Sequence, residues 1–288
     1  MQHHPWKRPE IRAWLTESLV KTLEQASDEQ PGVPGSHSGR LAKWRTAIVL
    51  VVAAFALTAR DNAYAPGFHT ITDWMSDCVG PSSNVLTHAI ALATAPENET
   101  LSRLMWWSVW QFLIYVLVPA IVVRTVLRQP LSDYGLRLRG LLNGWWIYLM
   151  FYLLMVPILV GVSTSEAFQR TYPFYEPAAG DVMDPAYWSR FCIWQIFYAA
   201  QFVSLEFFFR GFLLHGTRRD LGAYSILVMM IPYCMIHFGK PLPETIGAIV
   251  AGIVLGFMSL KTRSIWLGAV LHISVALTMD ISALYQRL

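Results

Sequence analysis

The sequence predicts an all-α fold, a polytopic membrane bundle of about seven (six to eight) transmembrane helices, and three observations lead there. Of 288 residues, 55% are apolar and only 14% are charged, whereas a soluble domain carries about 25% charge. Mean hydropathy is positive, at +0.40. Apolar segments of near-spanning length recur along the chain. Disordered, fibrous and nucleic-acid-binding classes fall away together. A formal charge of +3 is too small to suggest a polyanion partner, so no nucleic acid is expected. Cys78, Cys192 and Cys234 are odd in number and form no CxxC pair, which gives neither a disulfide framework nor a zinc ribbon. The first apolar run begins near Thr46, too far in for a secretory signal peptide, so the early spans are expected to direct insertion.

Residues 1–45 read as a cytoplasmic N-terminal tail: they are polar, carry seven Lys and Arg, and include a linker-like stretch, QPGVPGSHSG, at 30–39. Ile11, Trp14, Leu15, Leu19 and Leu23 recur at helical spacing, so 9–25 is expected as an amphipathic surface helix, the alternative being a partly ordered tail. Apolar segments follow at 46–59, 104–123, 142–162, 188–209, 223–238, 244–260 and 265–284, with a shorter one at 84–95. They divide the chain into N-terminal membrane segments, 46–130, and a C-terminal membrane core, 131–288. The first segment offers only about 14 apolar residues where about 20 are needed, so its crossing depends on Arg45 and Arg60 snorkelling. With seven spans, the tail and the second, fourth and sixth connections hold 16 Lys and Arg against 6 on the other side. The positive-inside rule then puts the N-terminus in the cytoplasm and the C-terminus outside.

Ionisable side chains in hydrocarbon cost roughly 2.5 to 3.5 kcal/mol each on insertion scales, which makes them functional candidates by default. Here they concentrate in the second half: Glu206, Arg210, His237, His272 and Asp280. Glu206 and Arg210, in SLEFFFRGFLLHG, are four apart and share a helix face, where they can pair; an ion pair that only pins the helix is the plain alternative. His237 follows Tyr233 by one turn, and His272 precedes Asp280 by two. Helix-rise arithmetic brings Glu206 and His237 to one depth, and it matches Asp280 to that depth better than His272. The same arithmetic makes 188–220 about 48 Å long, so this segment must tilt, kink or run along the interface.

A carboxylate with two imidazoles is an inventory for activating water. Glu206 can act as general base with a histidine sharing the proton, or Glu206, His237 and His272 can hold a divalent metal, zinc, whose bound water is acidic. Either chemistry suits peptide hydrolysis, with a neutral donor stabilising the oxyanion. HExxH, GxSxG and paired intramembrane aspartates are absent from the sequence.

The blocks EFFFRGFLL (206–214), YCMIHFGKP (233–241) and SIWLGAVLH (264–272), preceded by SDYGLRL (132–138), resemble the CAAX-protease and bacteriocin-processing (CPBP) family of intramembrane proteases, also called the ABI family, over roughly 130–285. That family includes the Ras-converting enzyme. The wording of the first two blocks also resembles a bacterial branch that includes the myxosortases, which process C-terminal sorting signals. The resemblance implies a membrane-embedded protease, metalloprotease or glutamate-dependent, acting on a membrane protein or peptide substrate in a bacterial inner membrane. It makes 131–288 the catalytic core. Against the family pattern Glu-Glu-x-x-x-Arg, Phe-x-x-x-His and His-x-x-x-Asn/Asp, Glu206 and Arg210 match the second glutamate and the arginine. Tyr233 stands for the phenylalanine, and His237 and His272 match the histidines. Leu205 replaces the first glutamate, usually assigned to water activation, and Ala276 replaces the final amide or acid. Glu206 is then expected to take the base role, and Asp280, one turn beyond Ala276, to restore the polar group of the third block.

Two other functions fit the residues. Leu205 and Ala276 suit a catalytically silent member that binds a membrane peptide or protects against a bacteriocin. A Glu-His-His-Asp series would suit a proton-coupled transporter, although no repeat is visible. Lys240 and Glu244 are expected to cap the turn after His237, and the aromatic run YPFY at 172–175 with Trp188 to lie at a membrane interface.

Overall fold

The computed structural model describes residues 17–25, 44–62, 65–79, 84–138, 142, 144–177 and 183–287. The described residues contain helices and no strand; one isolated antiparallel bridge joins Leu136 to Ser264. The linker expected at 30–39 and the first half of the expected tail helix lie outside the described residues. Residues 17–25 are helical, and Lys261 Nζ donates to Ser18 Oγ at 2.5 Å, which docks this helix against the C-terminal half.

Three helices open the body: α1, Arg45–Asn62, α2, Ala65–Val79, and α3, Asn84–Thr94. At 11 residues α3 is too short to span. Thr46 donates to Asp220, which ties α1 to the C-terminal half. Pro96 starts α4, Pro96–Phe112, where a missing backbone N–H costs nothing, and Glu97 and Glu99 occupy its first turn, where the helix dipole favours them. Its axis runs on through π turns at Leu113–Leu117 and Val122–Val126, giving a 31-residue run. Next come α5, Trp145–Val162, and α6, Pro185–Glu206, which Asp184 caps by accepting from the Ala186 N–H at 2.9 Å.

From Glu206 the chain continues as a π-helical stretch, Phe207–Leu214, and then α7, His215–Leu221. A 3₁₀ turn at Gly222–Tyr224 reverses it, with Gly222 at a φ of 54° that a side chain would oppose. The returning helix α8, Ser225–Met235, packs against the π stretch, as the 5.3 Å contact between the Phe209 and Tyr233 rings records. The segments expected at 188–209 and 223–238 are therefore one apolar run that folds back on itself. Helices α9, Leu242–Thr262, and α10, Trp266–Tyr285, complete the bundle. On α9, a Cβ at Gly252 or Gly256 would stand 2.8 Å from Met230 Cγ or 2.9 Å from Met229 Cε, so these glycines let α8 and α9 approach closely.

Five helical runs among the described residues are long and apolar enough to cross a membrane by length and composition: Pro96–Val126, Trp145–Val162, Pro185–Met235, Leu242–Thr262 and Trp266–Tyr285. The all-α membrane bundle expected from the sequence is what forms. Helix α1, with Arg45, Arg60 and Asp61 among its 18 residues, is not one of the five. The main core gathers around the π stretch, where Phe207, Phe208, Phe209 and Phe212 are each at most 1% exposed, with Tyr115 and Tyr233 beside them. Tyr115, on the π turn that continues α4, stacks on Phe208 at 4.2 Å and seals one side of the segment that follows Glu206.

The aromatic run at 172–175 packs inside the protein: Tyr172 and Tyr175 are buried and Phe174 lies between Trp107 and Tyr198, whereas Trp188 is exposed. Arg287 Nη2 donates to the carbonyls of Gln169 and Tyr172 and to Glu176, holding the loop against the end of α10.

Candidate active site

Glu206 is the last residue of α6, and Arg210 sits on the wide turn that follows. In a π turn, positions four apart lie nearly above one another, and Arg210 Nη1 donates to Glu206 Oε1 at 2.9 Å with both side chains fully buried. The guanidinium carbon also stands 3.9 Å from the Tyr233 ring centroid, a cation–π contact from α8. The charge of Glu206 is thereby compensated in a setting where an isolated carboxylate would be prohibitively expensive.

A second donor reaches the same oxygen. His272, on α10, places Nδ1 3.1 Å from Glu206 Oε1, and its ring packs at a tilt against Phe202, centroids 4.5 Å apart. A carboxylate oxygen can only accept, so Nδ1 carries the proton. Glu206 Oε1 thus takes two donors while Oε2, equally buried, has no hydrogen-bond partner. The nearest side-chain-free position to Oε2 is Gly268, one turn before His272: a Cβ there would lie 3.0 Å from Oε2.

His237 lies in the turn after α8, 7% exposed, with Nδ1 2.8 Å from the Tyr233 carbonyl. That contact assigns the proton to Nδ1 and leaves Nε2 with its lone pair. The His237 ring is 4.9 Å and the His272 ring 6.2 Å from that of Tyr233, so Tyr233 is the hub that joins Arg210, His237 and His272. Glu206, Arg210, Tyr233, His237 and His272 are therefore brought together.

Asp280 is not among them. Its Oδ2 accepts from Gln195 Nε2 at 2.7 Å and its Oδ1 from the Phe174 N–H at 3.4 Å. Eight residues past His272 on the same helix, it lies about 12 Å farther along. The depth arithmetic that preferred Asp280 to His272 is corrected by the direct His272–Glu206 contact, and Asp280 does not restore a polar group beside His272. Leu205 and Ala276, at the two departures from the family pattern, are buried in apolar clusters with Phe208 and with Tyr198 respectively.

The metal set of Glu206, His237 and His272 does not converge. Among the described residues, no group of three or more His, Cys, Asp and Glu is arranged to hold a metal ion. Sequence reasoning missed Phe202, one turn before Glu206 on the same face, and Gly268, one turn before His272; spacing alone could have found both.

Outside this site, Lys240 Nζ pairs with Glu244 Oε1 at 2.6 Å, and the Tyr172 hydroxyl donates to Glu244 at 2.9 Å. Lys240 and Glu244 do brace the turn after His237, and they also anchor the 172–175 loop beside it. Burial pushes the Tyr172 phenol well above its usual range, so it remains a donor.

The site thus joins a buried, charge-compensated glutamate to two oriented imidazoles within an all-α membrane bundle. Residues 187–278 match the family described as type II CAAX prenyl endopeptidase Rce1-like. The matched region, 92 of the 288 residues, contains all three sequence blocks and agrees with the resemblance to the CPBP intramembrane proteases. No curated protein and no solved structure matches the chain.

Proposed function

We propose that this protein is an intramembrane endopeptidase that cleaves membrane-anchored, C-terminal peptide segments with a water activated by Glu206. The observation that carries the proposal is the asymmetry of that carboxylate: Oε1 is fixed by Arg210 and His272, while Oε2 is buried without a partner. A carboxylate held in place by one oxygen presents the other as a positioned base.

In the reaction, Oε2 accepts a proton from water as its oxygen bonds to the scissile carbonyl carbon. His237, with Nδ1 donating to the Tyr233 carbonyl, offers Nε2 to share that proton and to return it to the leaving amine as the C–N bond breaks. Arg210 compensates the glutamate charge, and His272 orients the carboxylate. The glutamate mechanism is the reading preferred here, and the chelator arm of the experiment below tests it against a metal. Counted over the seven segments read from the sequence, the Lys and Arg distribution supports a cytoplasmic N-terminus, and the sequence blocks support a bacterial inner membrane.

The experiment is cleavage of a panel of membrane-anchored C-terminal peptides by purified protein in detergent, comparing wild type with Glu206→Gln and His237→Ala, with and without a chelator. Turnover that both substitutions abolish and the chelator leaves intact supports the glutamate mechanism. Turnover abolished by the chelator would establish a metal instead. Leu205 and Ala276 favour a second reading, a silent peptide-binding or immunity protein; absent turnover, with a peptide still captured by both variants, would establish it. Proton flux into vesicles, unaccompanied by cleavage, would point to a transporter.

A further inference from the structure

Between the end of α1 and the turn after α8 lies a groove of about 440 Å³, within the range of about 300 to 1,000 Å³ typical of ligand pockets. Helix α1 supplies Leu57, Thr58 and half-buried Arg60, and the other wall includes Met235, Ile236 and Phe238. Ile236 and Phe238 flank His237, so the turn that carries this imidazole also walls the groove. The α1 wall is fixed, because Trp110 Nε1 donates to the Ala59 carbonyl at 3.1 Å. Arg60 apart, the lining is uncharged.

Register places Arg60 near the depth of Glu206. Thr46 donates to Asp220, and a Cβ on Gly216 would stand 2.8 Å from Val49 Cγ2, so α1 runs antiparallel to 206–220. Arg60 is 14 positions beyond Thr46, and Glu206 is 14 positions before Asp220. Each therefore lies about 21 Å from that shared end, Glu206 somewhat nearer because π turns hold more residues. With Arg45 and Arg219 marking that end as one interface, Arg60 stops about 9 Å short of the other in a hydrocarbon core about 30 Å thick. A cation at that depth is a functional candidate by default. A phospholipid phosphate stays in the headgroup layer, whereas a carboxylate carried on an inserted peptide meets Arg60 at its own level, where the pairing is charge-assisted and bidentate.

We propose that this groove holds the leaving, C-terminal fragment of the substrate, with its terminal carboxylate paired to Arg60. Apolar side chains of the fragment lie against Leu57 and against Met235 and Phe238, which are 54% and 64% exposed. In the mechanism above His237 returns the proton to the leaving amine, so the leaving fragment belongs on the His237 side, where the groove is. The inference rests on that mechanism and adds a specificity to it, cleavage close to a free C-terminus. Arg60 lies outside the 187–278 family match, so this preference is supplied by the N-terminal part of the chain.

The test compares two membrane-anchored peptides that differ only in a free or an amidated C-terminus, by kcat, KM and equilibrium binding, in wild type and Arg60→Gln. Wild type is expected to show KM and Kd about 10-fold or more lower for the free carboxylate, the size of a hydrogen bond to a charged group, with kcat little changed. Arg60→Gln is expected to treat the two peptides alike. Equal affinity of wild type for both, or a preference that survives Arg60→Gln, overturns the assignment and leaves the Glu206 mechanism standing. If neither peptide is cleaved, that mechanism fails, and the binding comparison alone decides the groove. Absent preference, with phosphatidylglycerol retained through purification by wild type and not by Arg60→Gln, gives the groove to a lipid; dimerisation lost in Arg60→Gln gives it to a second copy. Either result overturns the proposal. Should Arg60→Gln fail to fold, a free-carboxylate peptide with a photoreactive last residue is crosslinked to wild type. Labels within 57–60 or 235–238 support the proposal, and labels elsewhere overturn it.

Discussion

Among the described residues two carboxylates are buried, both 0% exposed, and they are satisfied in opposite ways. Asp280 spends both oxygens on the fold: Gln195 on α6 takes one and the Phe174 backbone N–H takes the other, so the aspartate ties the 172–175 loop and α6 to α10. Glu206 concentrates its donors, Arg210 and His272, on one oxygen and leaves the other unpartnered opposite Gly268. Burial alone therefore does not mark a catalytic carboxylate. The distribution of its partners is what supports Glu206 as the proposed base, because an oxygen already accepting a strong hydrogen bond is poorly available to a proton, whereas an unengaged one is held ready by its bound twin.

The largest effect expected is that of Glu206→Gln, which keeps the shape and removes the base: turnover should fall at least about 1000-fold. The variant also strands the buried Arg210, so its thermal midpoint should drop, by the equivalent of about 3 kcal/mol. Next comes Arg210→Leu, which strands the glutamate instead; a similar loss of stability is expected, and the Glu206→Gln/Arg210→Leu pair should recover much of it in a double-mutant cycle. His272→Ala should lower kcat about 100-fold while leaving stability nearly unchanged, since it frees a carboxylate that Arg210 still compensates. A loss of KM rather than kcat would recast His272 as a substrate contact. The smallest effect is that of Tyr172→Phe, a loss of about 1 kcal/mol for one hydrogen bond to Glu244. Because burial raises the Tyr172 phenol, the group is neutral in both folded and unfolded chains until pH passes the ordinary tyrosine value near about 10. The difference in unfolding midpoint between wild type and variant should accordingly be the same at pH 6 and pH 8. A difference that changes between those values would show that another group titrates against this hydroxyl.

Much of the architecture was legible because run length and charge depletion are strong signals in a membrane. The Glu206–Arg210 pair was legible from its spacing, and the reversal between them and His237 from the turn after Asp220. The partner of Glu206 on α10 was not. Rise per residue places a side chain only if helices are regular and start where the turn ends, and here Phe207–Leu214 is π-helical. The face argument that favoured Asp280 was sound about direction and wrong about level, because two turns along one face is still about 12 Å. The burial of the 172–175 aromatics was hidden for a different reason. It depends on Arg287 and Asp280 capturing the loop backbone, contacts across more than 100 positions that no local pattern announces.

The contrast between the two carboxylates is tested most directly by measuring kcat for Glu206→Gln and Asp280→Asn side by side on one cleavable membrane-anchored peptide. Asp280→Asn should fold with a lower midpoint, by about 1 to 3 kcal/mol for the disturbed bond to Gln195, and cleave within a few-fold of wild type, while Glu206→Gln is inert. Cleavage abolished by Asp280→Asn in a folded protein, or retained by Glu206→Gln, would contradict it.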